Sequence, residues 1–327
     1  MPLSHSELLT ELERSHQETV TALATSEHRL AQTLTQRDQW RFEAERLEEE
    51  LVGARERIRQ LEAAQPAPGP EPARILLGVC PGKAGGVPAA VTKWPQARIV
   101  RVFDPGEFTH FQRPTNGAAV HFSFKPSTHV TDAQCVDYGR SFRDGDYITV
   151  WHELDVKAKT GAHSPTTTAR YLSIQNDFCQ RWRRLRGERQ VPDVAVVCVV
   201  SGWRFRGDPT DTPHPYLCAA DVLGVDLDGA NHTTSYYDWP TTLPHIRKVA
   251  DEKYGGRWMV PEYAWGRVTT DTDGRKRADT IRAQMPKILA AHPEAVCYFD
   301  FENVPGENLT QPAEIAAWTE QLASAAR

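Results

Sequence analysis

The sequence predicts an α/β fold, a (β/α)8 TIM barrel, preceded by a long N-terminal coiled-coil helix. The barrel is indicated by eight apolar runs after residue 73, mostly continuous, which is typical of parallel strands buried on both faces. Helix-forming segments separate several of these runs, and eight such units in roughly 250 residues match the usual size of this barrel. The first 64 residues have a different composition, which predicts a separate helical segment.

The bulk composition of the 327-residue chain is that of an ordinary soluble protein, with 40% hydrophobic and 25% charged residues. A net charge of -5 gives no reason to expect a nucleic-acid or membrane partner. No apolar run approaches the roughly 18 residues of a membrane span, and the polar, acidic N-terminus does not resemble a secretory signal. We therefore expect a cytoplasmic or virion-associated protein, and the composition does not decide between the two.

Residues 1–64 are predicted to form the helical domain, because residues 5–64 contain no proline and a single glycine and are rich in Glu, Arg, Leu, Gln and Ala. Seven-residue spacing of apolar side chains is clearest in the second half, at Ala44, Leu47, Leu51, Ala54, Ile58 and Leu61. A lone helix of this length has no core of its own. We therefore expect self-association through residues 5–64 as a parallel dimer or trimer, and the alternative is a solvated single helix.

A proline-rich linker separates this helix from the rest of the chain. Prolines stand at every second position from Pro66 to Pro72, which predicts an extended spacer without internal hydrogen bonds over residues 65–73. Residues 74–327 then form the predicted barrel domain.

The barrel domain alternates strand and helix. The predicted strands are Ile75–Cys80, Ala97–Phe103, Ala118–Phe124, Tyr147–Glu153, Asp193–Val200, Val222–Asp226, Trp258–Glu262 and Ala295–Phe301. The predicted helices are Ala133–Arg143, Thr166–Leu185, Leu243–Tyr254, Arg277–Ala291 and Gln311–Ala325. The runner-up fold is an open doubly wound sheet, which no GxGxxG or GxxxxGKS/T loop supports. The six cysteines form no CxxC pair, so we expect reduced packing residues.

Two glutamates are the candidate catalytic residues, because each closes a predicted strand. Glu153 ends the fourth strand and Glu262 ends the seventh. A barrel of this type delivers the carboxyl ends of all its strands to one pocket. Two facing carboxyl groups are the minimum equipment for cleaving a glycosidic bond, provided that one stays protonated and the other ionised. The alternative is that both glutamates cap the helices that follow them.

Three segments carry a resemblance to a known family. Residues 151–155 (WHELD) resemble the fourth-strand motif of glycoside hydrolase family 26, the mannanase-like group of retaining (β/α)8 glycosidases. Residues 221–226 (DVLGVD) and 258–263 (WMVPEY) resemble the sixth and seventh strands of that family. The resemblance implies that Glu153 is the acid/base and Glu262 the nucleophile.

The same resemblance implies that His152 contacts or orients the substrate. The family usually has Asn where this chain has Asp155, and a tyrosine that hydrogen-bonds the nucleophile near the place of Asp228. We expect the carboxylate of Asp228 to raise the pKa of the nucleophile. Asp226 and Asp228 are candidates for binding substrate; their spacing also suits a divalent cation, but we expect no metal and no cofactor.

Aromatic side chains near the strand ends are candidates for stacking on sugar rings. Trp203 follows the fifth predicted strand, and Tyr263 and Trp265 follow the second catalytic candidate. Packing between barrel and helices is the alternative for each of them.

The preferred interpretation is a retaining glycoside hydrolase that acts on a β-linked polysaccharide and carries a coiled-coil oligomerisation stalk. The first alternative is a catalytically weak or inactive carbohydrate-binding barrel, such as a phage tail or virion-associated protein. The second is a metal-assisted hydrolase or lyase, which bound metal would indicate.

Overall fold

The computed structural model describes residues 13–21, 23, 25, 26, 43, 46, 75–83, 86–104, 106–207, 213–228, 234–301 and 308–325. The chain divides into two units, Met1–Glu71 and Pro72–Arg327. No helix among the described residues has the length and apolar character needed to cross a membrane.

The described residues of the first unit are helical and exposed, including Val20 at 48% and Leu23 at 61% relative exposure. The heptad positions between residues 44 and 61 and the linker of residues 65–73 lie outside the described residues. The coiled coil, its self-association and the domain boundaries therefore stay predictions.

The second unit is a closed parallel barrel whose strands follow chain order, with β8 hydrogen-bonded back to β1. The strands are β1 Leu76–Lys83, β2 Ile99–Phe103, β3 Ala119–Phe124, β4 Tyr147–Val150, β5 Ala195–Ser201, β6 Val222–Asp226, β7 Trp258–Tyr263 and β8 Ala295–Phe299. The predicted (β/α)8 fold is confirmed. The fourth strand is shorter than predicted, because the chain turns sharply after Val150.

Helices surround the strands. They are α1 Val87–Lys93, α2 Asp132–Gly139, α3 Leu154–Lys159, α4 Pro165–Gly187, α5 Leu243–Tyr254, α6 Arg275–Ala290 and α7 Pro312–Ala325. The sequence predicted the five longer helices but not the short α1 and α3. Among the described residues, the 3₁₀ turn Gly202–Phe205 directly follows β5.

The core lies in two layers, inside the barrel and between the barrel and its helices. Every residue of β5, β6, β7 and β8 is buried, as expected for parallel strands covered on both faces. Gly78 is required where β1 meets β2, because a Cβ there would lie 1.8 Å from the carbonyl oxygen of Ile99. The six cysteines are buried and unbonded. This packing gives the strand ends a rigid frame.

Candidate active site

Glu262 points into the barrel from β7, where it is 5% exposed and pairs with a buried arginine from β2. The Arg101 Nη2 lies 3.1 Å from Glu262 Oε1. Since β2 and β7 are not neighbours, this ion pair crosses the barrel interior. Arg101 is fully buried and also donates hydrogen bonds to Ser123 Oγ at 2.7 Å and to the Val102 carbonyl at 3.2 Å. The carboxylate is therefore held in place by a guanidinium that is itself fixed.

A chain of hydrogen bonds extends this arrangement to His152. Ser123 Oγ lies 3.0 Å from His152 Nδ1. Arg101 donates to the same Ser123 oxygen, so the hydroxyl proton of Ser123 is available for Nδ1. Burial, together with the cationic Lys125 and Arg101, lowers the pKa of His152 well below its ordinary value. The lowered pKa favours the neutral form of His152, and the contact with Ser123 orients its ring.

Glu153 stands on a strained turn between β4 and α3. Both Trp151 and Glu153 have left-handed backbones, with φ of 54° and 52°, which non-glycine residues adopt at a cost. Gln175 on α4 stabilises the turn by donating to the carbonyls of Val150 and Trp151, each at 2.8 Å. The Trp151 indole donates to the Pro126 carbonyl at 2.8 Å. The surrounding structure therefore imposes a conformation that aims the Glu153 side chain.

The two glutamates occupy unequal electrostatic environments. Burial, and then the carboxylates of Asp228 and Glu262, raise the pKa of Glu153 well above its ordinary value, while Lys125 opposes the rise. Burial also raises the pKa of Glu262, but Arg101 and then Lys125 oppose this. Arg101 forms an ion pair with Glu262, whereas the carboxylates of Asp228, Glu262 and Asp155 all raise the pKa of Glu153. As the pH rises, Glu262 therefore ionises first, and Glu153 keeps its proton to higher pH.

Asp226, the last residue of β6, and Asp228, which follows the strand, lie in different environments. Asp226 is fully buried, and neither of its carboxyl oxygens has a hydrogen-bond partner among the described residues. Burial, then Glu262 and Glu153, raise the pKa of Asp226 well above its ordinary value, which favours its protonated form. Asp228 is half-buried and raises the pKa of Glu153. The expected effect of Asp228 on the pKa of Glu262 stays a prediction.

Asp155, two residues after Glu153, anchors the connection that follows β5. Its fully buried carboxylate accepts hydrogen bonds from the Ser201 amide at 3.3 Å and from Arg204 Nε at 3.2 Å. Arg204 also donates to the Asp155 carbonyl at 3.2 Å. The pair therefore joins the start of α3 to the end of β5, behind the catalytic candidates.

Of the three aromatic side chains predicted to stack on sugars, only Trp203 is partly exposed. Tyr263 and Trp265 are fully buried, with ring centroids 4.7 Å apart, and Tyr263 also stacks on Trp318 of α7. Their burial favours the packing alternative over stacking on a sugar. Trp203 is partly exposed, but Lys159 Nζ and Arg204 Cζ lie 3.5 and 3.9 Å from its ring centroid. A sugar can stack on Trp203 only if Lys159 moves.

Three side chains near the carboxylates were not among the predicted site residues. The sequence could have indicated Arg101, since a charged residue inside a buried strand requires a partner of opposite charge. Phe103 and Phe301 are partly exposed at the ends of β2 and β8; Phe103 lies 5.5 Å from the His152 ring and 6.0 Å from Phe301. Gly82 leaves room for Phe301, because a Cβ at this position would lie 2.5 Å from that ring.

A cation also faces the carboxylates. Lys125 follows β3 and is partly exposed. Burial lowers the pKa of Lys125, and the carboxylates of Glu153 and Glu262 oppose this. Among the described residues, no group of three or more His, Cys, Asp and Glu side chains is arranged to hold a metal ion.

Comparisons with known proteins give structural likeness only. No protein-family model matches the chain, and no curated protein does. One similar structure is a GH128 (subgroup I) endo-beta-1,3-glucanase from Amycolatopsis mediterranei, with 13% identity over 75% of this chain and 98% of that chain and a TM-score of 0.47. A Bacteroides ovatus GH5 xyloglucanase has 12% identity over 76% and 75%, with a TM-score of 0.49. A Cellulomonas fimi endo-beta-1,4-mannanase double mutant has 16% identity over 76% and 70%, with a TM-score of 0.48. Identity this low does not carry a reaction from one barrel to another, because one fold hosts many chemistries.

Proposed function

We propose that the protein is a retaining glycoside hydrolase that cleaves a β-linked polysaccharide. The observation that supports this most strongly is the unequal pair of carboxyl groups of Glu153, on the turn after β4, and Glu262 in β7. Glu153 holds its proton to higher pH than Glu262, and Glu262 is paired with Arg101. One protonated and one ionised carboxyl group in a single pocket are what general acid catalysis and nucleophilic attack together require.

In the first step, Glu262 attacks the anomeric carbon while Glu153 protonates the leaving oxygen. The glycosidic bond breaks, a bond from Glu262 to the sugar forms, and the aglycone leaves with the proton from Glu153. Arg101 holds Glu262 in its ionised form and fixes its position, since its own hydrogen bonds leave it no freedom to turn away. Once Glu262 is bonded to the sugar, it no longer carries a negative charge and no longer raises the pKa of Glu153. Glu153 has by then given up its proton, and its lower pKa keeps it ionised.

In the second step, the Glu153 carboxylate removes a proton from water, which attacks the sugar–enzyme bond and releases Glu262. The drop in the pKa of Glu153 while Glu262 is covalently occupied keeps Glu153 ionised and able to act as a base. The two attacks each invert the anomeric carbon, so the product keeps the configuration of the substrate.

Side chains around the pair supply substrate contacts in this proposal. His152 presents its Nε2 to a sugar hydroxyl, and Asp228 and Lys125 bind further hydroxyls. Phe103 stacks on a sugar face beside His152. The WHELD motif supports a relationship to family 26 glycoside hydrolases, which stays part of the proposal.

The N-terminal segment acts as an oligomerisation stalk in this proposal, through residues 5–64. The heptad spacing of its second half supports this role. Light scattering of the full chain should give two or three times the monomer mass of 36.7 kDa. A monomer at all concentrations contradicts the stalk.

One observation favours a second candidate function, a sugar-binding barrel with weak or no catalysis. Burial raises the pKa of Glu262 even though Arg101 is present. A nucleophile that stays protonated binds sugar without cleaving it, and such a barrel on a stalk suits a virion or phage tail component. Retention of polysaccharide without release of products at any pH favours this function.

Kinetics of two variants test the hydrolase proposal. Glu262→Ala should lower kcat/KM on an activated aryl β-glycoside at least about a thousandfold, because no covalent step remains. Glu153→Gln should abolish cleavage of a polysaccharide yet leave formation of the covalent species from the activated glycoside, whose leaving group needs no proton. The matched control is Glu294→Gln, since Glu294 pairs with Arg257 at the opposite end of the barrel. Full activity of Glu262→Ala contradicts the assignment.

A further inference from the structure

Three thiols from separate elements meet beside the barrel, away from the carboxylates. Cys179 lies on α4, Cys198 on β5, and Cys218 on the segment that leads into β6, and their exposures are 1%, 0% and 7%. The sulfur atoms of Cys179 and Cys218 are 3.9 Å apart. The Cys218 amide donates to the Cys198 sulfur at 3.3 Å. The proposed reaction uses none of these groups.

The position of Cys218 allows the first pair to close further. Cys218 lies outside regular secondary structure, next to the exposed Ala219. A disulfide requires a sulfur–sulfur separation of about 2.05 Å, which is about 2 Å less than the present distance and within the range of a side-chain rotation. Tyr254 donates to the Cys218 carbonyl at 3.1 Å, and this hydrogen bond fixes the backbone while the side chain turns.

We propose that Cys179 and Cys218 form a reversible disulfide when the protein meets a two-electron oxidant of the peroxide class. The two S–H bonds and the O–O bond of hydrogen peroxide break, one S–S bond forms, and two water molecules leave. Both sulfurs are oxidised and the peroxide is reduced. A small thiol reverses the reaction by exchange through a mixed disulfide.

The bond would connect α4 to the end of the β5–β6 connection. That connection begins with Gly202–Phe205, which carries Trp203 and the Arg204 partner of Asp155. The disulfide closes a loop between positions separated by 39 residues, so it reduces the entropy of the unfolded chain. Oxidation should therefore raise the thermal midpoint by about 5 °C, and a reducing thiol should reverse the change.

Peptide mapping of the full-length protein tests the proposal. After hydrogen peroxide treatment, and with free thiols blocked under denaturing conditions, the map should contain one peptide pair that joins Cys179 to Cys218. Cys179→Ala should abolish both this pair and the rise in the midpoint. Cys135→Ala is the matched control, because Cys135 is equally buried and has no thiol partner among the described residues; this variant should oxidise like the parent.

The peptide map of the wild-type protein tests the proposed disulfide even if a variant folds poorly. Retention of all six thiols under peroxide overturns the proposal. So does a bond that joins Cys198 to Cys218, or oxidation of one sulfur to an acid without cross-linking.

Discussion

Replacing Arg101 with Met should move the acidic limb of the pH–rate profile to higher pH. The substitution removes the guanidinium that lies 3.1 Å from Glu262 Oε1. Glu262 is only 5% exposed in the parent protein. Arg101 opposes the rise that burial causes in the pKa of Glu262, so its loss raises that pKa further. The acidic limb reports the ionisation of the nucleophile.

The structure sets the size of this shift. At an effective dielectric constant of about 20, two charges about 4 Å apart attract by about 4 kcal/mol. Since one pKa unit corresponds to about 1.36 kcal/mol, the loss of the pair raises the pKa of Glu262 by up to about 3 units. Below the new pKa, activity falls about tenfold for each pH unit, because only the ionised carboxylate attacks.

The assay is kcat/KM on an activated aryl β-glycoside between about pH 4 and pH 9. Ser123→Ala is the matched control, since it removes one hydrogen bond of Arg101 and keeps the pair with Glu262. This control should leave the limb within about half a unit of the parent. An unmoved limb in Arg101→Met, with activity retained, refutes the role of the ion pair.

Three further substitutions test other parts of the site. Above the ordinary aspartate pKa, unfolded Asp226 is ionised while the folded group stays neutral, so stability falls as pH rises towards the folded pKa. In urea unfolding, Asp226→Asn should reduce the fall in the free energy of unfolding with rising pH by up to about 1.4 kcal/mol per pH unit. An unchanged dependence on pH contradicts a raised pKa of Asp226. Gln175→Leu should destabilise the protein by at least about 2 kcal/mol by leaving two buried carbonyls unpaired, whereas Gln190→Leu at an exposed site should not. Phe103→Ala should raise KM about tenfold with little change in kcat, as expected for lost stacking worth about 1.4 kcal/mol; a loss confined to kcat speaks against a binding role.

The barrel was predictable because its signal is repeated and local. Continuous apolar runs mark strands that are covered on both faces, and Glu153 and Glu262 each close one of them. The short α1 and α3 escaped prediction, since helices of 7 and 6 residues hold little periodic signal. The strained turn at Trp151 also lies beyond sequence patterns, because tertiary contacts from Gln175 impose it.

What could not be predicted from the sequence was mainly which distant residues pair with each other. Arg101 and Glu262 are 161 positions apart, and no pattern in either strand names the other. The burial of Tyr263 was within reach, because side chains alternate along a strand and a residue next to an inward Glu262 points outward. The aromatic stacking argument gave too little weight to this alternation. The influence of Asp228 on Glu153 depends on the path of the chain after β6, which its composition does not determine.

The most direct test of the central claim is to trap the covalent sugar–enzyme species. A panel of fluorinated, activated aryl β-glycosides should inactivate the protein, and peptide mass spectrometry should then find the sugar on Glu262. The Glu153→Gln variant should be labelled at the same residue, because Glu153 takes no part in forming this bond when the leaving group needs no proton. A label on Glu153, on Asp226 or on Asp228 would contradict the account, as would release of a product with inverted anomeric configuration.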